Sequence, residues 1–259
     1  MRTPFDDAVA AIAKAGYHNH RLEGHSDVVS NAVYEDLLAR CATLKSDVDA
    51  GVVKTWINVR SPGDRLRKID LFVGEPGAGG ELQIPGVRIA LENKSVITAH
   101  RNRTNRFDDL SKVLSAIHSA RPEALLVATV LVGLAGRVLN IPDQVHPFYR
   151  DREDQFVANV LPRLSSGDHA LWTEFSWAIS RNSATDPGRT IALLQQLPTR
   201  KPGHTHVAGY DFVLLVPVSI DNVNPPSLPR PNNCGIDVDA EYQRMLDQLC
   251  SAYTARWHM

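Results

Sequence analysis

Two acidic residues and a lysine lie on two successive segments whose apolar residues alternate as in β-strands. Asp70 lies in the segment RKIDLFVG, and Glu92 and Lys94 lie in the segment VRIALENKSVI. Strand side chains alternate between two faces, so Glu92 and Lys94 are predicted to share the face opposite Leu91. If the strands pair, Asp70 would approach Glu92 at the strand ends. Two carboxylates about 4 Å apart repel by roughly 4 kcal/mol at an effective dielectric constant of about 20, so the pair needs a compensating charge.

A divalent cation would remove this repulsion. Mg²⁺ binds to proteins through one or two carboxylates together with water and substrate phosphates. Lys94 lies two residues beyond Glu92 on the same predicted face, where it could polarise a metal-bound water or counter the charge of a phosphate. A Lewis-acidic cation, an activated water and a cationic side chain are the components of metal-assisted phosphodiester hydrolysis.

A basic segment follows Lys94 directly and leads into a predicted helix. Guanidinium groups suit bidentate contact with phosphate or guanine, and helix N-termini favour phosphate. The predicted DNA-contacting residues are Arg65, Arg67, Ser95, His100, Arg101, Asn102, Arg103 and Arg106. Phosphate contacts position DNA and base contacts specify sequence, and the order of residues alone does not divide this set between the two roles. The alternative interpretation is that the basic segment is an ordinary solvated surface at the start of the helix and does not contact DNA.

The elements that must position these residues follow from hydrophobic periodicity and from Gly and Pro breaks. We predict a helix over 27–44, strands within 51–61, 67–74 and 87–97, a helix over 105–120 and a buried strand over 124–133. The C-terminal part is predicted to contain helices at 153–164, 189–197 and 239–256 and a buried strand within 210–220. It would complete the sheet, recognise DNA or form a dimer interface.

Composition limits the class of protein. The chain has 259 residues, 43% of them hydrophobic and 22% charged, which suits a globular protein of one large domain or two small ones. The net charge of -1 means that any nucleic-acid binding must come from a local patch. The three cysteines form no recognised disulfide or zinc spacing, and the N-terminus does not have the features of a signal peptide, so we expect a cytoplasmic protein.

The motif and the element order resemble those of the PD-(D/E)xK nuclease superfamily, the fold of most type II restriction endonucleases. In that family an Asp on the second strand and Glu/Asp-x-Lys on the third strand form the site, and the matching residues in this sequence are Asp70 and Glu92-Asn93-Lys94. Ile69 precedes Asp70 where the family motif has Pro, although that proline is often absent. The resemblance covers about 27–133. It implies an α/β fold with an αβββαβ core, a mixed central sheet flanked by helices and a C-terminal α/β extension over about 137–259, in a single nuclease domain.

The resemblance also implies residue roles. Asp70, Glu92 and the Asn93 carbonyl would bind Mg²⁺, with Mn²⁺ able to substitute, and Lys94 would orient the attacking water. Glu35, in the first predicted helix, matches the acid that this helix contributes in many members; a surface position is the alternative for Glu35. If Asp70 is left aside, the alternative for Glu92 and Lys94 is a solvated pair on an ordinary strand.

The implied activity is Mg²⁺-dependent cleavage of double-stranded DNA, by a type II restriction endonuclease acting as a homodimer beside a cognate methyltransferase. A second hypothesis keeps the chemistry and assigns it to a defence nuclease of the same fold that degrades DNA without sequence preference or after activation by a nucleotide messenger. A third hypothesis is a catalytically silent DNA-binding or scaffold protein. Retention of Asp70, Glu92 and Lys94 argues against the third hypothesis.

Overall fold

The structure is a computed structural model that describes residues 2–14, 24–60, 68–97, 100–140, 158–159, 162–163, 178–201, 203–205, 207–221 and 224–258. The longer helices in these residues are α1 (Pro4–Lys14), α2 (Gly24–Arg40), α3 (Ala42–Asp49), α4 (Arg103–Ala120), α5 (Asp186–Leu194) and α6 (Val238–Trp257). The strands are β1 (Lys54–Val59), β2 (Ile69–Gly74), β3 (Val87–Val96), β4 (Leu125–Gly133), β5 (Arg137–Asn140), β6 (Ala178–Arg181) and β7 (Phe212–Val218).

Five of these strands form one mixed sheet in the order β1-β2-β3-β4-β7. The β1–β2 and β2–β3 pairs are antiparallel, and the β3–β4 and β4–β7 pairs are parallel. The predicted α/β class with a mixed sheet flanked by helices is therefore confirmed. β5 and β6 form a separate two-stranded sheet.

Helices cover both faces of the sheet. The first cluster, on the face of Leu71, Ile89 and Leu91, contains apolar residues of α1, α2, α3 and α6. The second cluster, on the face of Phe72 and Ala90, contains apolar residues of α4 and α5. All nine residues of β4 are buried, as expected for a strand enclosed on both faces by helices.

The predicted elements agree with the structure over most of the described residues. The C-terminal part completes the sheet through β7 and supplies α6, as predicted. The predicted helix over 27–44 is instead two helices, because the backbone of Cys41 is extended (φ -109°, ψ 93°) between α2 and α3. The helix predicted at 189–197 runs from Asp186 to Leu194. The helix predicted at 153–164 lies almost entirely outside the described residues.

Two residues depart from the predicted strand alternation. Val87 packs in the second cluster with Ala90, not with Ile89 and Leu91. The β2–β3 register shifts between Val73 and Gly74, which pairs with Val87, and such a bulge changes which face the next side chain occupies.

Ile69 also lies in the second cluster, although it was predicted to share a face with Leu71. Ile69 pairs with Val59 of β1 and Leu71 pairs with Ile57, and the residue between these β1 partners, Asn58, has a positive φ. This irregular backbone interrupts the alternation between Ile69 and Leu71. Within the described residues, no helix combines the length and the apolar character needed to cross a bilayer.

Candidate active site

The carboxylate of Asp70 lies where the β2–β3 ladder ends. The register that pairs Leu71 with Leu91 places Asp70 opposite Glu92. Asp70 Oδ2 accepts a hydrogen bond from the backbone N–H of Asn93 at 2.6 Å, and Oδ1 accepts one from Ser26 Oγ at 2.6 Å. The sequence predicted that Asp70 would share a face with Phe72. Its carboxylate is instead bound by the edge of β3 and the first turn of α2.

Glu92 and Lys94 form a buried ion pair on β3. Glu92 is 2% exposed, and its Oε1 accepts a hydrogen bond from Lys94 Nζ. The other oxygen, Oε2, is buried and has no hydrogen-bond partner among the described residues. A buried carboxylate oxygen without a donor is costly, so this atom is suited to bind a proton or a cation.

Burial raises the pKa values of Asp70 and Glu92, and the charge of Lys94 opposes the rise in both. Burial raises the pKa of Glu92 to about 7; the charge of Asp70 adds to this rise, and Lys94 opposes it. Burial also raises the pKa of Asp70, against the opposing hydrogen bonds from Ser26 and Asn93 and the charge of Lys94. Both carboxyl groups are therefore harder to ionise than free side chains, and a nearby cation would favour their ionised forms.

These residues fit a hard divalent cation. Two coupled carboxyl groups and one buried oxygen without a donor form the oxygen-rich, negatively charged environment that Mg²⁺ prefers. Asp70 and Glu92 are the side chains that could hold such an ion, with the Asn93 carbonyl as the predicted third ligand. Within the described residues there is no group of three or more His, Cys, Asp or Glu side chains arranged to bind a metal.

The structure does not bring Glu35 to this site. Glu35 is exposed and carries no resolved contact to Asp70. It follows Ser26 by nine residues, which at 3.6 residues per turn places it on the opposite side of α2. The predicted role of Glu35 is therefore corrected: α2 directs a different acid, Asp27, towards Asp70. The charge of Asp27 contributes to the raised pKa of Asp70.

Asn58 on β1 is hydrogen-bonded to Asp27 and has a left-handed backbone conformation. Asn58 Nδ2 donates to Asp27 Oδ1, and the β1–β2 register places Asn58 opposite Asp70. In the described part of the chain, Asn58 is the only non-glycine residue with a positive φ, at 55°. Such a conformation costs on the order of 1–3 kcal/mol and persists where surrounding contacts enforce it. Ser26, Asp27 and Asn58 were not predicted as site residues from the sequence.

The predicted DNA-contacting residues that the structure describes divide into three groups, which are buried, half-buried and exposed. The prediction that His100 contacts DNA is wrong, because its side chain is buried. His100 is 1% exposed, and its ring nitrogens are hydrogen-bonded to Thr190 Oγ1 at 2.7 Å and to the Gly133 carbonyl at 2.9 Å. Burial lowers the pKa of His100, which favours the neutral ring. The histidine therefore fastens the start of α4 to the protein core.

Arg103 and Arg106 are half-buried and already engaged. Arg103 Nη1 donates to the His100 carbonyl at 3.2 Å and lies 3.8 Å from Asp186. Arg106 donates to the Ser95 carbonyl at 3.4 Å and to Asp109 at 3.0 Å. Ser95 itself is half-buried on β3. These contacts hold the start of α4 against β3 and α5.

Arg101 and Asn102 are the exposed members of the predicted set. Both side chains lie at the entrance to α4, and Asn102 makes no side-chain cap to the helix. They are available to contact a ligand in solution. Arg65 and Arg67 lie outside the described residues.

Comparison of the chain with protein-family models, with curated proteins and with solved structures found no match. The assignment of a function must therefore come from the site residues and their geometry.

Proposed function

We propose that this protein is a Mg²⁺-dependent DNA endonuclease that hydrolyses phosphodiester bonds. The observation that supports the proposal most strongly is the coupled set of Asp70, Glu92 and Lys94 at the end of the β2–β3 ladder. A buried carboxyl group with a pKa of about 7, beside a second carboxyl group, is unfavourable for stability. Groups perturbed in this way concentrate at functional sites.

Each residue has a defined role in the proposed reaction. Asp70 and Glu92 hold the ion, with the Asn93 carbonyl as a further ligand. Bound Mg²⁺ supplies Lewis-acid polarisation of the scissile phosphate. Lys94 Nζ, now paired with Glu92 Oε1, orients the attacking water and donates to the phosphate oxygen on which charge develops.

The element order supports a restriction-endonuclease-like core within the observed α/β fold. A helix precedes β1, β2 and β3, and α4 and β4 follow them. By resemblance to that family, the proposed enzyme is a type II restriction endonuclease that cuts a specific double-stranded site and acts with a cognate methyltransferase. A two-fold homodimer would match a palindromic site and cut both strands.

The entrance to α4 is the proposed DNA contact. Arg101 and Asn102 are exposed there, and the free N–H groups of the first helical turn favour phosphate. Arg103 and Arg106 contribute positive charge while remaining tied to the protein.

Plasmid cleavage tests the proposal. Purified protein is incubated with supercoiled plasmid and Mg²⁺ or EDTA, and the product ends are mapped. We expect cleavage with Mg²⁺ only, into discrete fragments. A smear would favour the non-specific or messenger-activated nuclease. No cleavage, with or without Mg²⁺ or Mn²⁺, would contradict the proposed activity.

Substitutions at the site sharpen this test. Asp70→Asn and Lys94→Ala should each reduce the cleavage rate by at least about 100-fold. The first weakens binding of the cation, and the second removes a positive charge that stabilises the reacting phosphate. Glu35→Gln should cleave at the wild-type rate, because Glu35 lies on the opposite side of α2. Circular dichroism of each variant checks that folding is retained. Wild-type activity of Lys94→Ala would remove its assigned role.

A further inference from the structure

The side chain of Asn93 connects three elements around Asp70. Thr129 Oγ1 on β4 donates to Asn93 Oδ1 at 2.5 Å. Asn93 Nδ2 donates to Ser30 Oγ at 2.9 Å and to Ser26 Oγ at 3.1 Å, both on α2. Ser26 Oγ in turn donates to Asp70 Oδ1 at 2.6 Å. We call Thr129, Asn93 and Ser26 the hydroxyl–amide chain.

The hydrogen bonds of the hydroxyl–amide chain all donate in one direction, from Thr129 towards Asp70. A hydroxyl can donate only one hydrogen, and an amide accepts at oxygen and donates at nitrogen. Because Thr129 donates to the amide oxygen, the amide nitrogen must face α2. Ser26 accepts from that nitrogen, so its own hydrogen is left for Asp70. The backbone N–H of the same Asn93 donates to the second oxygen of Asp70 at 2.6 Å. Asn93 thus contacts one oxygen of Asp70 directly through its backbone and the other indirectly through Ser26.

Packing alone does not explain these polar residues. Thr129 is 3% exposed and is the only polar side chain in β4, and Ser30 is fully buried in α2. A buried hydroxyl costs free energy unless it is hydrogen-bonded, whereas Val would fill the position of Thr129 without that cost. The hydroxyl of Thr129 has one observed partner, the Asn93 amide.

We propose that Thr129 is a positioning residue, which through Asn93 and Ser26 fixes the Asp70 carboxylate in the orientation that binds a divalent cation. The inference rests on the proposed function of Asp70 as a metal ligand. It adds Thr129, which lies on another strand and does not contact Asp70 directly, to the residues on which metal binding depends.

Two substitutions at one position separate this role from packing. Thr129→Val keeps the shape and removes the donor, so the amide oxygen of Asn93 loses its observed partner, while the amide nitrogen keeps its contacts with Ser30 and with the hydroxyl and carbonyl of Ser26. We expect Mn²⁺ to bind about tenfold more weakly, since loss of groups that orient metal ligands typically costs 10–100-fold in affinity. Thr129→Ser keeps the hydroxyl and loses a methyl group, so it should bind Mn²⁺ as the wild-type protein does.

The experiment is calorimetric titration of the metal-free full-length proteins with Mn²⁺, with urea unfolding of each protein as the control for folding. The expected order of affinity is wild type equal to Thr129→Ser, with Thr129→Val weaker. Ser26→Ala, which removes the donor to Asp70 Oδ1, should weaken binding in the same way and serves if Thr129→Val does not fold. Equal affinity of the wild type and the folded hydroxyl-deletion variant would overturn the inference, as would Thr129→Ser binding as weakly as Thr129→Val.

The same titration distinguishes failure of the inference from failure of the proposed function. Absence of Mn²⁺ binding by the wild-type protein would overturn both. Tight binding by the wild type that is unchanged in Thr129→Val and Ser26→Ala would leave the metal site in place and overturn the inference alone.

Discussion

At the scale of single residues, Glu92 combines two properties that seldom occur together in a stable protein. It is nearly inaccessible to solvent, and the β2–β3 register places it opposite Asp70, whose charge raises its pKa further. Lys94 compensates only one of its oxygens. Without a bound cation, burial and repulsion both favour the protonated form of Glu92, whereas a cation would favour the ionised form.

This arrangement predicts an unusual dependence of stability on pH. The folded-state pKa of Glu92 is about 7, above the value of 4.5 for an unperturbed glutamate, so the folded state binds the proton more tightly than the unfolded state. The contribution of Glu92 to stability is therefore complete below about pH 4.5 and is lost as the pH rises through about 7.

Glu92→Gln should relieve that loss. In EDTA at pH 8, we expect the variant to be more stable than the wild type by up to about 3 kcal/mol, and at pH 4.5 the gain should vanish. Urea unfolding at both pH values measures this difference. Glu35→Gln makes the same chemical change at an exposed position and should alter stability by less than about 0.5 kcal/mol at either pH. A Glu92→Gln variant less stable than the wild type at pH 8 would show that the charged pair is net stabilising.

At the scale of elements, a buried charged group joins β4, β7 and α6 far along the chain from the proposed site. Asp211, just before β7, accepts from Arg200 Nη2 at 3.0 Å, from Arg256 Nη2 at 2.6 Å and from the backbone N–H of Leu126 at 2.9 Å. All three charged side chains are nearly inaccessible to solvent. One aspartate thus compensates two buried guanidinium groups.

Asp211→Asn should therefore destabilise the protein strongly. Removing one member of a buried ionic group leaves uncompensated charge and typically costs about 3–5 kcal/mol. The free energy of unfolding in urea measures the effect. Asp247→Asn, which breaks an exposed pair with Arg40, is the matched control and should cost at most about 1 kcal/mol. Similar small losses for both variants would mean that Asp211 does not hold these elements together.

Local patterns were sufficient to predict most elements, because alternation and helical periodicity record which side chains are buried. The segments that became β3, β4, β7 and α6 are examples. The break at Cys41 was missed because the apolar spacing continues from Leu37 to Leu44 across it. The face of Val87 was missed because it depends on a register shift between two strands, which neither segment reveals alone.

The site was predicted in part for the same reason. Glu92 and Lys94 are two residues apart on one strand, so their pairing follows from local geometry. Asp27 and Asn58 come together through the packing of α2 against β1, and their own segments carry no signal of it. His100 looked like a basic surface residue, but its burial depends on Thr190, ninety positions later in the chain. Thr129 did carry a local signal, as the single polar residue in an apolar strand.

At the scale of the whole molecule, the net charge of -1 provides no general attraction to DNA. Under the proposed function, DNA binding would then depend on local groups of basic residues such as the one at the entrance to α4. In this account Arg101, which is exposed there, contributes one phosphate contact.

Arg101→Ala should weaken DNA binding and reduce the salt dependence of the affinity by about one unit in the slope of log K against log salt. Fluorescence anisotropy with a labelled duplex at several salt concentrations, in Ca²⁺ or EDTA to prevent cleavage, measures both quantities. Lys112→Ala removes an exposed charge further along α4 and should leave the slope unchanged. If the two variants behave alike, the entrance to α4 is an ordinary solvated surface.

The proposed metal site is tested most directly by a crystal structure of the protein with Mn²⁺, with the ion located by anomalous scattering. We expect one strong peak bound by carboxylate oxygens of both Asp70 and Glu92, at about the 2.0–2.1 Å typical of Mg²⁺ or slightly longer. Lys94 should then have moved from Glu92 towards the open side of the ion. A peak that contacts only one of these carboxylates, or no peak at the end of the β2–β3 ladder, would mean that Asp70 and Glu92 do not bind a metal ion together.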